Sequence, residues 1–164
     1  MRLPTHEQIL LAIYYDPETG LFKKPKGELT GGCSARGGYL SIYICGARFR
    51  AHRLAWFYMT GEWPKQEIDH INGDRKDNRF SNLRTCTHQQ NNHNQPIRKT
   101  NTSGIKGVYW NKRQRKWRGQ VCLNYHIHHT KGFDKIDEAE VAVRALREEL
   151  HGEFANHGSH TTAR

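Results

Sequence analysis

A polar stretch without apolar periodicity divides this sequence at residues 94–103. Ile97 is its one apolar side chain, and Pro96 disfavours a regular element. Residues 98–104 are therefore predicted to form a linker. The chain has 164 residues, of which 35% are apolar, so each part can bury a modest core. We expect two small modules rather than one large domain.

The charge of the chain is strongly positive. It has 26 Lys and Arg against 16 Asp and Glu, a formal net charge of +10, and the segment 98–118 contains no acidic residue. Tyr109, Trp110 and Trp117 are interleaved with these cations. Stacking rings between cations are typical of a nucleic-acid surface, whereas charge alone would equally fit a basic face that aids solubility.

The four cysteines are scattered and form no CxxC pair. We therefore expect neither a structural zinc site nor a compact disulfide framework. The N-terminal residues lack the long uncharged core of a signal or membrane-spanning segment. We expect a cytoplasmic protein (in the host cytoplasm if it is encoded by a phage), with no membrane partner and no small-molecule cofactor.

Local signals in the first part predict short elements. Residues 5–8 match a capping box that starts a helix, and residues 16–20 carry the Pro and Gly of a hairpin turn. Residues 39–44 alternate like a half-buried strand, and residues 51–59 have helical length and composition. Residues 1–50 are thus predicted to be a β-rich scaffold.

The run IDHINGDRKDNRFSNLRTCTHQQNNHNQ, residues 68–95, has the densest Asp, His and Asn content of the chain. Asp69 and His70 follow Ile68 at the predicted end of a strand. Residues 83–86 can return as a second strand, and a capping box starts a helix near Thr87.

This arrangement can hold one hard divalent cation against a phosphodiester. Asp69 and Asn91 offer oxygen ligands, which suit Mg²⁺ or Mn²⁺ better than zinc. His70 titrates near neutrality and can take a proton from an attacking water, while the cation stabilises the leaving 3′ oxygen.

The segments DHINGD, DNRFSNLR and NNHN resemble the HNH endonucleases, in particular those of phages and introns. The resemblance covers about residues 50–95, and we assign residues 51–97 to the nuclease motif. It implies that His70 is the general base, Asp69 a metal ligand, Asn82 a brace that orients the base, and Asn91 the second ligand.

Several assignments keep an alternative at this stage. Three neighbours compete with Asn91 for the second ligand position: His88, Asn92 and His93. Asp77 and Asn78 are interpreted as loop caps. Arg53, in a His-Arg pair that the subgroup shares, is either a phosphate contact or part of a buried structural pair.

Residues 105–157 are predicted to form three strands and a helix. In the second strand, Trp117, Gly119 and Val121 should face the helix while Arg118 and Gln120 face outward. The third strand, after residue 125, is poorly defined by the sequence. A capping box over residues 137–140 is expected to start the helix.

This second module resembles the Apetala2-type DNA-binding domain in the segments GVYW, KWRGQV, GFD, DEAEVAVRAL and LHGEFAN. The resemblance implies a basic sheet that contacts DNA. The candidate contacts are Tyr109, Arg113, Arg115, Arg118 and Gln120. The alternative for the three arginines is that they lie in a solvated turn and do not contact DNA. Residues 158–164 are predicted to be a flexible tail.

The predicted fold class is α+β. It combines a ββα-metal nuclease core and a β-rich N-terminal region with a small three-stranded antiparallel sheet packed on one helix. The predicted function is metal-dependent hydrolysis of phosphodiester bonds in double-stranded DNA, by site-selective nicking or homing-like cleavage. Two alternatives are a DNA-binding regulator with a degenerate nuclease motif and an RNA- or ribosome-binding protein.

Overall fold

The computed structural model describes residues 3–30, 32–34 and 37–158. The chain divides into two compact units, Met1–Thr87 and His88–Arg164. The predicted tail lies outside the described residues except for Gly158. No helix in the described ranges has both the length and the apolar character needed to cross a membrane.

The described residues of the first unit form two α-helices and seven short strands. They are α1 (His6–Ala12), β1 (Tyr14–Asp16), β2 (Leu21–Lys23), β3 (Cys33–Ser34), β4 (Leu40–Ile44), β5 (Ala47–Arg50), α2 (Ala51–Thr60), β6 (Glu67–His70) and β7 (Leu83–Cys86).

The local signals at the N-terminus are confirmed. Thr5 Oγ1 accepts a hydrogen bond from the Gln8 backbone amide, and Gln8 Oε1 accepts one from the Thr5 backbone amide, which is the predicted capping box of α1. β1 and β2 pair as an antiparallel hairpin. Asp16 Oδ1 accepts the Glu18 amide at 3.0 Å in the turn between them.

The core of the first unit joins α1, α2 and the small sheets. Ile9 of α1, Tyr15 of β1 and Leu54 of α2 are almost completely buried together. β3, β4 and β5 form a separate three-stranded antiparallel sheet, and Ile42 and Ile44 of β4 bury their side chains in the same core. α2 ends where Gly61 adopts a left-handed conformation, with φ of 76°.

β6 and β7 form a two-stranded antiparallel sheet, with Asp69 opposite Arg84 and His70 opposite Leu83. The loop between the strands ends in a short 3₁₀ turn at Phe80–Asn82. Ile68 and Leu83 anchor this hairpin in the core of the first unit. The end of β6 is therefore held firmly at His70.

The second unit contains α3 (His88–His93), β8 (Val108–Asn111), β9 (Lys116–Leu123), β10 (His126–Phe133) and α4 (Ile136–His151). The strands form one antiparallel sheet with β9 in the centre. α4 packs on β9, and Val121 of β9 and Val143 of α4 are buried in the core between them. A Cβ on Gly119 would lie 2.7 Å from Val143 Cβ, so this glycine permits the close approach of helix and sheet.

The alternation predicted for β9 is confirmed, because Gly119 and Val121 are buried and Gln120 is exposed. Trp117 packs against the core of the unit, as predicted. The sequence left the third strand undefined, and the structure has the eight-residue β10 there.

The predicted start of the last helix is wrong. α4 begins at Ile136 rather than beyond Asp137, and Lys135 occupies the N-cap position without a capping side-chain bond. Glu140, the expected partner in the box, pairs instead with Arg144 one turn later. Ile136 packs on the core of the unit, and this contact extends the helix toward its N-terminus.

Candidate active site and nucleic-acid interface

Asp69 and His70 lie at the end of β6 and are both buried, with 5% and 3% of their surface exposed. Asp69 Oδ2 accepts two hydrogen bonds from the guanidinium of Arg84, at 3.1 Å from Nε and 2.9 Å from Nη2. The two residues face each other across the β6–β7 hairpin. This ion pair holds the buried carboxylate in place at the end of the strand.

The imidazole of His70 contacts the side chain of Asn78, with 3.3 Å between Nε2 and Oδ1. Asn78 Nδ2 donates to the Lys76 carbonyl at 3.0 Å, which fixes the amide so that its oxygen faces the ring. With the amide in this orientation, Nε2 is the donor to Asn78 Oδ1, which corresponds to the neutral tautomer with an unprotonated Nδ1.

Burial lowers the pKa of His70, and the bond to Asn78 and the charge of Asp69 oppose this shift. Lowering the pKa favours the neutral ring at neutral pH, which is the form a general base requires.

Asn82 organises the loop that follows His70. Its Oδ1 accepts the Asn72 amide at 2.9 Å, and its Nδ2 donates to Asn72 Oδ1 and to the Asp77 carbonyl. Its own carbonyl accepts the Ile71 amide at 2.9 Å. Asn82 thus stabilises the loop, and Asn78 is the loop residue that contacts the His70 ring.

The expectation that Asp77 and Asn78 are loop caps holds for Asp77. Its Oδ1 accepts the Arg79 amide and guanidinium, and the bond from Arg79 contributes most to lowering its pKa to about 2. For Asn78 the expectation is incomplete, because its side chain also contacts His70. The Tyr15 hydroxyl donates to the Asn78 carbonyl at 2.6 Å, so the first hairpin supports this position.

Aromatic side chains surround His70 on the side of α2. The His52 ring meets it edge to face at 5.1 Å, and Tyr39 lies 6.0 Å away. The guanidinium groups of Arg50 and Arg75 each lie 5.0 Å from the Tyr39 ring. This cluster was not predicted from the sequence, although the His-Arg pair that contains His52 was a signal for it.

His52 itself is buried, and its Nδ1 has no hydrogen-bond partner within the described part of the chain. Burial, with a smaller contribution from His70, lowers the pKa of His52 to about 3. His52 is therefore neutral at physiological pH. Arg53 donates to the Pro64 carbonyl at 2.8 Å and to the Gln66 carbonyl at 3.2 Å, which matches its structural alternative.

Comparisons with known proteins show which family the chain resembles. The model of the family described as HNH endonuclease matches residues 49–93. Protein 3.8 of Escherichia phage T7 is 36% identical over 107 residues, covering 65% of this chain and 88% of that protein. The chain contains an HNH endonuclease domain.

Two further proteins are similar to this HNH protein. The uncharacterized HNH endonuclease L560 of Acanthamoeba polyphaga mimivirus is 31% identical over 122 residues, which are 73% of this chain and 62% of that protein. A solved structure of DNA binding and cleavage by the HNH homing endonuclease I-HmuI is 26% identical, with a TM-score of 0.42 over 51% of each chain.

The family assignment confirms the predicted α+β fold class. β6, β7 and α3 follow one another along the chain as the elements of a ββα-metal core, and a three-stranded antiparallel sheet packs on one helix in the second unit.

No cluster of three or more His, Cys, Asp or Glu side chains suited to a metal ion occurs in residues 3–30, 32–34 and 37–158.

The third element of the HNH motif, α3, belongs to the second unit and carries Asn91. Lys106 Nζ donates to the carbonyls of His93 at 2.9 Å and Gln95 at 2.6 Å, at the C-terminal end of this helix. Asn156 Nδ2 donates to Asn94 Oδ1 at 2.7 Å. The structural division thus falls before α3, whereas the sequence placed a linker at residues 98–104.

His93, one alternative to Asn91, stacks face to face on His151 with 3.6 Å between ring centroids. Burial lowers the pKa of His93 to about 4 and also lowers that of His151, so two neutral rings stack without repulsion. His151 Nε2 donates to the Cys122 carbonyl of β9 at 2.9 Å. This pair connects α3 with the sheet.

The outer face of the sheet carries most of the predicted DNA contacts. Tyr109 lies opposite Arg118, and Gln120 is exposed on β9. Arg113 and Arg115 are exposed in the β8–β9 turn. Arg118 donates through Nε and Nη2 to the Thr130 carbonyl, which holds its guanidinium on the sheet.

His129 also belongs to this face, and its position was not predicted from the sequence. It lies opposite Gln120, and its Nδ1 is 3.5 Å from the Tyr109 hydroxyl. The histidine-rich segment 126–129 was the available signal, but its register on β9 could not be derived from the sequence.

Proposed function

We propose that this protein is a metal-dependent endonuclease that hydrolyses phosphodiester bonds in double-stranded DNA, by site-selective nicking or homing-like cleavage in the cytoplasm. One observation supports the proposal above all. A buried carboxylate and a buried imidazole are adjacent at the end of β6, and each is held by a side chain from the hairpin or its loop.

His70 is the proposed general base. The contact between Nε2 and Asn78 Oδ1 orients the ring, and Nδ1 is the nitrogen proposed to take a proton from the attacking water. Asn82 is the proposed brace, acting through the loop that carries Asn78. The lowered pKa keeps the base unprotonated at neutral pH.

Asp69 and Asn91 are the proposed ligands of one Mg²⁺ or Mn²⁺ ion. A carboxylate and an amide oxygen fit such a hard cation, which keeps several waters when few protein ligands are present. The ion pair with Arg84 supports this role, because it fixes the position of the Asp69 carboxylate at the end of β6. When bound, the ion would supply positive charge to the developing negative charge at the phosphate and the leaving 3′ oxygen.

The sheet of the second unit is the proposed DNA-binding surface, in the manner that its resemblance to the Apetala2 type implies. Arg113 and Arg115 would contact phosphates, and Tyr109, Arg118 and Gln120 would contact DNA from the outer face. Arg113, Arg115 and Gln120 are exposed, and the half-buried Tyr109 and Arg118 share the outer face with Gln120, which supports this proposal. Arg53 keeps guanidinium donors beyond its two carbonyl bonds and remains a proposed phosphate contact.

A plasmid assay tests the activity. Supercoiled plasmid is incubated with the full chain in Mg²⁺, in Mn²⁺ or in EDTA, and in parallel with Asp69→Asn. We expect nicked or linear product only with a divalent ion, and strongly reduced product with the variant. Duplex binding without cleavage under every metal condition would instead indicate the DNA-binding regulator.

A further inference from the structure

The tip of the β9–β10 hairpin has an unusual residue. Leu123 pairs with His126, so the turn consists of Asn124 and Tyr125, which both have a positive φ, of 51° and 64°. Two-residue turns of this kind favour Asn followed by Gly, because Gly adopts a positive φ without steric strain. A tyrosine at the second position opposes this local preference.

The Tyr125 side chain does not compensate for the strain by packing. It is 95% exposed, more than any other large apolar side chain in the described ranges. Asn124 Oδ1 accepts a hydrogen bond from Gln89 Nε2 of α3 at 2.9 Å, so the base of the turn is held while the ring extends into solvent. A strained residue that contributes no packing points to a role in binding.

The surroundings of Tyr125 indicate the chemistry of its partner. Tyr125 lines an open cleft of about 780 Å³ within the second unit. Arg98, Lys106 and Arg147 line the same cleft, and the described lining residues include no Asp or Glu. Burial lowers the pKa of Lys106 to about 8, so this amine still carries its charge at neutral pH. An aromatic ring above a cationic cleft suits a base and its phosphate.

We propose that Tyr125 is a stacking residue for duplex DNA. Its ring stacks on a base that is opened or kinked in the bound duplex, and the neighbouring phosphate lies toward Arg98 in the cleft. The proposal rests on the proposed function, since it adds a contact to a DNA-binding unit. Tyr125 lies in the β9–β10 turn and is not one of the proposed DNA contacts on the outer face of the sheet.

The test compares the full-length protein with Tyr125→Gly, Tyr125→Trp and the control Tyr43→Ala. Tyr43 is an exposed tyrosine, on β4 of the first unit. Binding to a labelled duplex is measured in EDTA by fluorescence anisotropy. We expect the glycine variant to bind about ten-fold more weakly, and the tryptophan and control variants to stay within about two-fold of the unmodified protein.

Two further readouts separate stacking from a structural role. Because glycine fits the positive φ, Tyr125→Gly should raise the melting temperature by about 2–4 °C while it weakens binding. Photocrosslinking to a duplex that carries 5-iodouracil in place of thymine should attach DNA to the peptide containing Tyr125.

The outcomes distinguish this inference from the proposed function. If the unmodified protein binds and cleaves DNA and Tyr125→Gly binds equally well, the stacking role is wrong and the proposed function stands. Crosslinks confined to other peptides have the same consequence. If the unmodified protein does not bind duplex DNA, both are overturned.

Discussion

Gly20 connects the first hairpin with the loop that supports His70. It has a φ of +72°, and a Cβ at this position would lie 2.5 Å from the Arg79 amide nitrogen and 2.6 Å from the Asn78 carbonyl carbon. Both atoms belong to the backbone and cannot rotate away. Gly20→Ala therefore has to displace the segment that holds Asn78 against the imidazole.

Gly46 provides a matched control in the same unit. Its φ is +74°, and nothing lies within 4 Å of a Cβ built on it. The left-handed conformation costs alanine about 1 kcal/mol at either position. The overlap at Gly20 adds about 1–3 kcal/mol. We expect a loss of unfolding free energy of about 2–4 kcal/mol for Gly20→Ala and about 1 kcal/mol for Gly46→Ala.

Urea denaturation of the two variants and the unmodified chain measures this difference. Single-turnover cleavage at a temperature where both variants are folded measures the effect on Asn78. We expect a rate about ten-fold to a hundred-fold lower for Gly20→Ala and an unchanged rate for Gly46→Ala. Equal destabilisation of the two variants would refute the steric argument, and equal rates would refute the supporting role of the loop.

Three other predictions concern single contacts. Tyr15→Phe removes the hydroxyl that binds the Asn78 carbonyl and should lower the free energy of unfolding, measured by urea denaturation, by about 1–2 kcal/mol. An unchanged free energy of unfolding would mean that this hydrogen bond does not stabilise the protein. His52 has a pKa of about 3 when folded, so the unfolded chain binds a proton first as the pH falls below about 6.5. The protein should therefore lose stability from there toward pH 3, and thermal melting of His52→Phe across this range should show a shallower loss, while identical acid profiles would contradict the assignment. Gly119→Ala places a methyl against Val143 and should destabilise the second unit by about 1–3 kcal/mol. Val143→Ala in the same chain should restore part of this stability. If calorimetry shows that the single variant melts like the unmodified protein, the close packing is excluded.

The sequence predicted those parts of the fold that depend on neighbouring residues. The capping box at Thr5, the turn after Asp16 and the alternation along β9 are local patterns, and the structure has each of them. Asp69 and His70 were also identified locally, because they are adjacent at the end of a strand. Their roles in catalysis remain predictions.

The contacts that define the surroundings of His70 could not be predicted in this way. Asn78 approaches the ring because Asn82 shapes the loop and Tyr15 holds its backbone from a distant hairpin. His52 reaches the ring from α2. Each depends on tertiary packing between residues far apart in the sequence.

Arg147 shows the same limit in the second unit. Arg147 is a charged residue of α4, but its side chain is buried. Its Nη2 donates to the Lys106 carbonyl at 2.6 Å, and its Nη1 contacts His157 Nδ1 at 2.9 Å. These partners compensate for the buried charge, and no local pattern indicates them.

The central claim is that His70 activates water for phosphodiester hydrolysis. Single-turnover cleavage by the unmodified protein and by His70→Ala, at saturating Mg²⁺ and with duplex binding measured separately, tests it most directly. We predict a rate at least about a hundred-fold lower for the variant with unchanged DNA binding, and products that end in 5′-phosphate and 3′-hydroxyl. A variant that cleaves at the unmodified rate would contradict this account of the site.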